Sequence, residues 1–212
     1  MCDKKRFQKV IHSQIELESI VGKPSELVKR KVIHSIDQHC KDFINKSPFV
    51  ILSTADDAGF CDGSPRGDMP GFVKIINENC LVIPDRPGNK RMDSMRNIIA
   101  NPKIGLLFII PGLGETLRIN GSAQLIQDEE ILQEMAVKGK IPKIAIAVEV
   151  EECFIHCAKA FKRSGLWQPD TWLDSGDVPS AAKILNEHAR LPDYTVEKME
   201  ARLEKGYMER LY

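Results

Sequence analysis

An excess of charge of either sign is missing from this 212-residue chain: 30 Lys and Arg stand against 30 Asp and Glu, for a net charge of zero. Such a balance gives no field to draw in nucleic acid or an anionic membrane, so neither is expected as a partner. Long apolar runs are missing too. Nothing approaches the ~18–20 residues of a membrane span, and Met-Cys-Asp-Lys-Lys-Arg at the start leads into no apolar signal core. A cytoplasmic protein is the expectation. The chain has no Walker-type phosphate loop, no Gly-x-Gly-x-x-Gly, no Ser–His–Asp or Cys–His order with catalytic spacing, no internal repeat and no low-complexity tract. The six cysteines are scattered, at positions 2, 40, 61, 80, 153 and 157. His156 between Cys153 and Cys157 invites a zinc reading. On a strand those two thiols would stand ~13 Å apart, at ~3.3 Å per residue, and no second cluster completes four ligands. Reduced, mostly buried thiols and no metal are expected, with His156 partly buried and satisfied.

What is present is a globular composition, 42% hydrophobic and 28% charged, on a length that suits one core with a modest extension. Apolar residues recur at helical spacing from Lys5 to Ile20. Val21-Gly-Lys-Pro-Ser25 breaks the pattern, and Ser25 reads as the N-cap of a second helical stretch through residue 45. From Pro48 the period becomes that of strands. Phe49–Thr54 ends in the turn Ala-Asp-Asp-Ala-Gly59, and a strand from Cys61 is interrupted at Pro65. Residues 72–76 and 80–83 form a strand–turn–strand unit. A short helix over 92–100 is closed by Asn101-Pro102. Strands follow over 104–110 and 116–126, then a helix over 129–138, a strand over 144–150 and sheet continuing through 153–161. Two helices, 180–188 and 196–207, end the chain. Short strands on tight connections between helices at both ends predict α+β, with an antiparallel barrel or curled sheet. Crossovers of the parallel kind have no room.

Cationic and small residues cluster in Ser64-Pro-Arg-Gly-Asp68 and again in Asp85-Arg-Pro-Gly-Asn-Lys-Arg91, between strands. On a chain of zero net charge this suggests a local anion site, and a phosphate-bearing cofactor is its simplest occupant. A helix starting near Met92 would add free N–H groups and a positive dipole end. Alone, Arg66 and Asp68 could be a surface ion contact, and Asn89, Lys90 and Arg91 a solvated turn.

The order of Ser64–Asp68, Ile83-Pro-Asp-Arg-Pro-Gly-Asn-Lys-Arg-Met-Asp-Ser94 and Asn101–Phe108, with a late Lys159-Ala-Phe-Lys-Arg-Ser-Gly-Leu-Trp167, resembles the pyridoxamine 5′-phosphate oxidase-like FMN-binding split barrels. Within that family it resembles a subgroup of FMN-dependent enzymes distinct from the oxidase proper. The resemblance covers roughly residues 25–175. It implies an antiparallel Greek-key split β-barrel with flanking helices: a helical extension over 1–46 packing on the barrel, the FMN-binding barrel over 47–163 and a helical segment over 164–212. It also implies a homodimer with FMN in a cleft between subunits. Ser64, Arg66 and Asp68 would belong to the strand facing the phosphate, with Asn89, Lys90 and Arg91 in the turn before the helix. Ile83 and Pro84 would line the isoalloxazine edge, and Thr116 and Arg118 would meet the flavin. Arg163, Ser164 and Trp167 would come from the partner subunit, although Trp167 and Trp172 also suit plain interface or core packing. Arg66 is followed by Gly-Asp-Met-Pro-Gly where the oxidase carries Arg-x-x-Leu-Leu-Lys. FMN binding and oxidoreductase chemistry on a small molecule are therefore implied, vitamin B6 oxidation is not, and no residue is assigned as catalytic. A flavin or haem carrier, or a deazaflavin reductase, is the alternative on the same barrel.

Overall fold

The computed structural model describes residues 7–212, so Cys2 and the first residues of the expected N-terminal helix lie outside it. The chain divides between Val32 and Ile33 into two units. In the first, α1 (Gln14–Val21) starts where the Ser13 hydroxyl accepts the Glu16 N–H at 3.1 Å and stops at Gly22, whose φ is 81°. The expected helix is thus shorter than Lys5–Ile20. Helix α2 (Glu26–Arg30) is capped by Ser25, as expected. Neither helix contains a buried residue.

The second stretch is not one helix through residue 45. Ile33 breaks it by exchanging backbone hydrogen bonds with Cys153, at 3.0 and 2.8 Å. Asp37 then caps a new helix, α3 (Gln38–Lys46), through the Cys40 N–H at 2.8 Å. The remaining elements are β1 (Phe49–Ala55), β2 (Cys61–Gly67), β3 (Lys74–Asn77), β4 (Cys80–Pro84), α4 (Asp93–Ala100), β5 (Lys103–Ile109), β6 (Thr116–Ile126), α5 (Glu129–Glu134) and β7 (Ala145–His156). After them come α6 (Lys159–Ser164), a 3-10 turn (Pro169–Thr171), α7 (Ala181–Ala189) and α8 (Val196–Glu209).

The seven strands of the described residues form one antiparallel sheet in the order β2-β1-β5-β6-β7-β4-β3, with helices before and after it. The fold is α+β. Strand β2 continues through Pro65 instead of breaking there, because β2 is an edge strand and a missing N–H costs no ladder bond on its open side. Strand β7 ends at His156, and the segment after it turns helical as α6, so the sheet does not run on to Phe161. Between Asn120 and Gly121 the register skips Glu151, so β7 carries the extra residue of a bulge and bends there. Gly121 is required there, since a Cβ would lie 2.0 Å from the Glu149 carbonyl oxygen.

Val50, Leu52, Leu106, Phe108, Leu117, Ile119, Ile146 and Val148 fill the core beneath Ile36 and Ile44, which flank and line α3. The sheet also curls. Five strand steps separate β2 from β4, about 24 Å if flat at ~4.8 Å per step. Yet Asp68, just past β2, and Arg86, just past β4, are 2.6 Å apart. The exits of β2 and β4 therefore meet.

Candidate functional site

Arg66 pairs across the sheet with Val50, and that row continues through Phe108 to Leu117, all buried. Directly opposed residues share a face, so the Arg66 side chain turns to the core side of the sheet. Its Nη1 donates to the Ser64 hydroxyl and, at 3.0 Å, to the Pro65 carbonyl. Its Nε is buried and has no partner. Asp85 lies close by: burial pushes its carboxyl above the usual range, and the Arg66 charge pulls part of that rise back. Ser64, Arg66, Pro84 and Asp85 are thus gathered at the meeting of β2 and β4. Ile83 points into the core and is fully buried, so only its backbone can border that place.

Asp68 is committed elsewhere. Its carboxylate accepts from Arg86 Nε at 2.6 Å, the Tyr212 hydroxyl at 2.7 Å and the Met69 N–H at 2.8 Å. Burial works to raise its pKa, but those donors and the Arg86 charge outweigh it and hold the carboxyl below the usual range. It is a tie between strand exits, with both oxygens engaged. The sequence singled out neither Arg86 nor Tyr212. Arg86 lay visible inside the Asp85–Arg91 run, whereas Tyr212 gave no signal at all.

The turn before α4 is built differently. Lys90 and Met92 both take left-handed backbone, with φ of 63° and 61°, and the Asn89 side chain accepts the Arg91 N–H at 3.0 Å. Lys90 and Arg91 are exposed, and Arg91 Nε leans on Asp93. No side chain caps the N-terminus of α4. Within its first turn, the Ser94 hydroxyl donates to Asp62 of β2, which fixes the helix start against the same strand that carries Arg66. Asp62 and Ser94 are further contributors that the sequence did not mark as a pair.

Thr116, Arg118 and Asn120 lie on the other face, since Thr116 precedes core-facing Leu117 on a regular strand. Thr116 stands opposite His156 and Arg118 opposite Phe154, whose ring centroid is 5.7 Å from the guanidinium carbon. Thr116 is 1% exposed, and its hydroxyl is buried without a partner. His156 is exposed and not partly buried as expected. Trp167 stacks on Phe161 and donates its indole N–H to the Leu113 carbonyl at 2.8 Å, in the turn leading to β6. Arg163 and Ser164 sit exposed on α6, the latter bonded to the Phe161 carbonyl.

The named residues thus form two groups in one chain. The group at β2, β4 and the α4 turn faces the core side, while Thr116 and Arg118 face outward. Of two surface grooves, one runs along Asn77–Cys80 and Ser122–Gln124, and the other, along Asp68–Asn77 and Glu134–Val137, is bordered by the Asp68–Arg86 pair at the strand exits. Among the described residues no His, Cys, Asp or Glu grouping suits a metal ion. Cys153 is buried 3.3 Å from Cys40, and Cys157 is exposed. No described helix is long and apolar enough to cross a membrane.

Among curated proteins, none matches the chain. Of solved structures, HupZ from group A Streptococcus is 20% identical over 57% of this chain and 93% of its own, with a TM-score of 0.47. A Lactobacillus delbrueckii protein described as a putative pyridoxamine 5′-phosphate oxidase is 17% identical over 57% and 95%, at 0.45. An FMN-binding protein from Syntrophomonas wolfei is 12% identical over 66% and 97%, at 0.43. Likeness at that level carries no argument about a ligand. The family model described as pyridoxamine 5′-phosphate oxidase, in contrast, matches residues 36–157, more than half of the chain and all seven strands. This chain belongs to the pyridoxamine 5′-phosphate oxidase family.

Proposed function

We propose that the protein is an FMN-binding flavoprotein, an oxidoreductase acting on a small molecule, and that it works as a homodimer. One observation carries the reading. Among the described residues, the buried side-chain polar atoms left without a partner are Arg66 Nε and Thr116 Oγ1. Folded proteins rarely leave such groups unpaired, at a cost of about 1–3 kcal/mol each. Both residues are ones that the sequence resemblance assigns to FMN. Arg66, Ser64 and the uncapped start of α4, with Lys90 and Arg91, suit the phosphate; the Ile83–Pro84 backbone suits the ring edge.

Arg66 and Thr116 occupy opposite faces of one sheet, so a single protomer cannot bring both to one ligand. A second copy presenting its Arg118 and α6, on the side where the covered Thr116 lies, to the β2/β4 cluster of the first resolves this, and the curled sheet is then the Greek-key split barrel of the family. Described cysteines are all unbridged, which supports a reducing, cytoplasmic setting. When bound, the flavin supplies the redox chemistry, and the residues named here bind and orient it.

Titrating the flavin-free protein with FMN and following flavin fluorescence tests the reading, with expected saturation at one flavin per chain. Arg66→Ala should weaken binding on the order of 100-fold while the fold persists, since a charge-assisted contact to phosphate is lost. Absence of binding by the unmutated protein would remove the proposal. A Soret band with haem, using exposed His156 as ligand, would favour the carrier reading instead. A flavin-loaded monomer in size-exclusion chromatography would remove the shared cleft.

A further inference from the structure

Tyr212 is held by three side chains from two separate parts of the molecule. Its hydroxyl donates to Asp68 Oδ1 at 2.7 Å, just past β2. Its main-chain oxygen accepts from Lys140 Nζ at 2.6 Å, and Lys138 Nζ sits 5.0 Å from its ring centroid. Those lysines belong to a tight turn in which Val137 and Lys140 exchange backbone hydrogen bonds and Lys138 has a φ of 51°. Asp68 Oδ2 in turn holds Arg86 Nε at 2.6 Å, and Arg86 Nη1 reaches the Met135 carbonyl at 2.9 Å. The ionic pair is deeply placed, with side chains 1% exposed at Asp68 and 14% at Arg86.

Asp68 is two residues beyond Arg66, and Arg86 directly follows Asp85 and precedes the Asn89–Arg91 turn. We propose that Tyr212 is a positioning residue for the cofactor site. It acts as a latch that completes the Asp68–Arg86 tie and thereby fixes the Asp85–Met92 connection beside Arg66. The role in cofactor affinity rests on the flavin reading; the latch itself does not. Tyr212 touches no proposed ligand position, and it acts through Asp68. The hydroxyl matters because a carboxylate this buried needs each of its donors: without the phenol, Asp68 Oδ1 keeps only the Met69 N–H. The ring matters separately, as the platform for Lys138.

Hydrogen–deuterium exchange of the flavin-free protein reads the latch without any cofactor. The Asp85 N–H, bonded to the Ile144 carbonyl at 3.0 Å, and the Arg91 N–H are the reporters. Tyr212→Ala should speed exchange in peptides covering 85–92 by roughly tenfold, the scale of one lost charge-assisted bond, and leave β5 and β6 unchanged. Tyr212→Phe keeps the ring and should give a smaller increase, which guards against simple loss of the C-terminal helices. FMN affinity, measured in parallel, should fall in the same order. Unchanged exchange over 85–92 in Tyr212→Ala overturns the latch, whatever the flavin does. Faster exchange spread over the whole sheet overturns it as well. If exchange responds as expected but the unmutated protein binds no FMN, the latch stands and the flavin reading falls.

Discussion

Arg86 and Arg91 stand five residues apart on one connection, yet the Arg86 side chain is 14% exposed and that of Arg91 77%. Arg86 is locked to a buried carboxylate at the point where two strands exit together. Arg91 leans on Asp93 in a turn with left-handed backbone on either side of it. Strand exits therefore hold paired charge in a fixed place, while the turn leaves its charge in solvent. Breaking the fixed half should have the larger effect. Asp68→Ala leaves Arg86 buried without its counter-ion, a loss of about 3–5 kcal/mol. For a chain of this length that lowers the midpoint of thermal unfolding by on the order of 10 °C. Arg91→Ala, at a mainly exposed pair, should leave the midpoint within about 1–2 °C. Equal effects in a calorimetric comparison of the two would erase the distinction.

Protons probe the same contrast on a smaller scale. The Asp68 carboxyl is held below its ordinary range in the folded state, so its share of stability is present above ordinary carboxylate pKa values. That share is lost as pH falls through the lowered one. Asp85 behaves in the opposite sense. Its folded value is raised, so it favours the folded state at low pH and costs stability as pH rises through that value. Thermal midpoints measured from pH 3 to 7 should accordingly rise for Asp85→Asn relative to the unmutated protein only at the upper end. An Asp85→Asn advantage that grows toward acid would show that Arg66 governs this carboxyl more than burial does.

Much of this architecture was legible from periodicity and punctuation. Ser25 as a cap, the strand from Thr116 to Ile126 and the helix closed by Asn101-Pro102 all rest on local rules, and the fold obeys them. Where sequence reading went astray, a tertiary partner decided the outcome. Ile33 leaves a helical pattern because Cys153 offers it backbone hydrogen bonds 120 positions away, and Pro65 stays in a strand because nothing pairs on its open side. In the candidate site, the cations were visible and their roles were not. Nothing local separates Arg66, aimed at the core face, from Arg91 in solvent, or marks Asp68 as spoken for by Arg86 and by Tyr212, 144 positions on. Composition names the cations available. Curling of the sheet decides which of them are free.

The finest test of the contrast lies in the turn itself. At Lys90 the φ of 63° puts an L side chain where its Cβ crowds the following carbonyl, a strain of about 1–2 kcal/mol that glycine does not feel. Glycine also gives up more chain entropy on folding, about 0.5–1 kcal/mol, so Lys90→Gly should stabilise the flavin-free protein by about 1 kcal/mol or less. The corresponding rise in thermal midpoint is about 2–4 °C at most. Arg91→Gly, at a position with ordinary backbone, relieves nothing and should lower it. Lys90 is thus a residue the turn would be steadier without, and strain of this kind persists where a side chain is needed for something other than folding. If both substitutions shift stability in the same direction, backbone strain is not what distinguishes this turn from the strand exits. If Lys90→Gly steadies the free protein and also binds FMN less tightly, strain and affinity trade against each other at one residue.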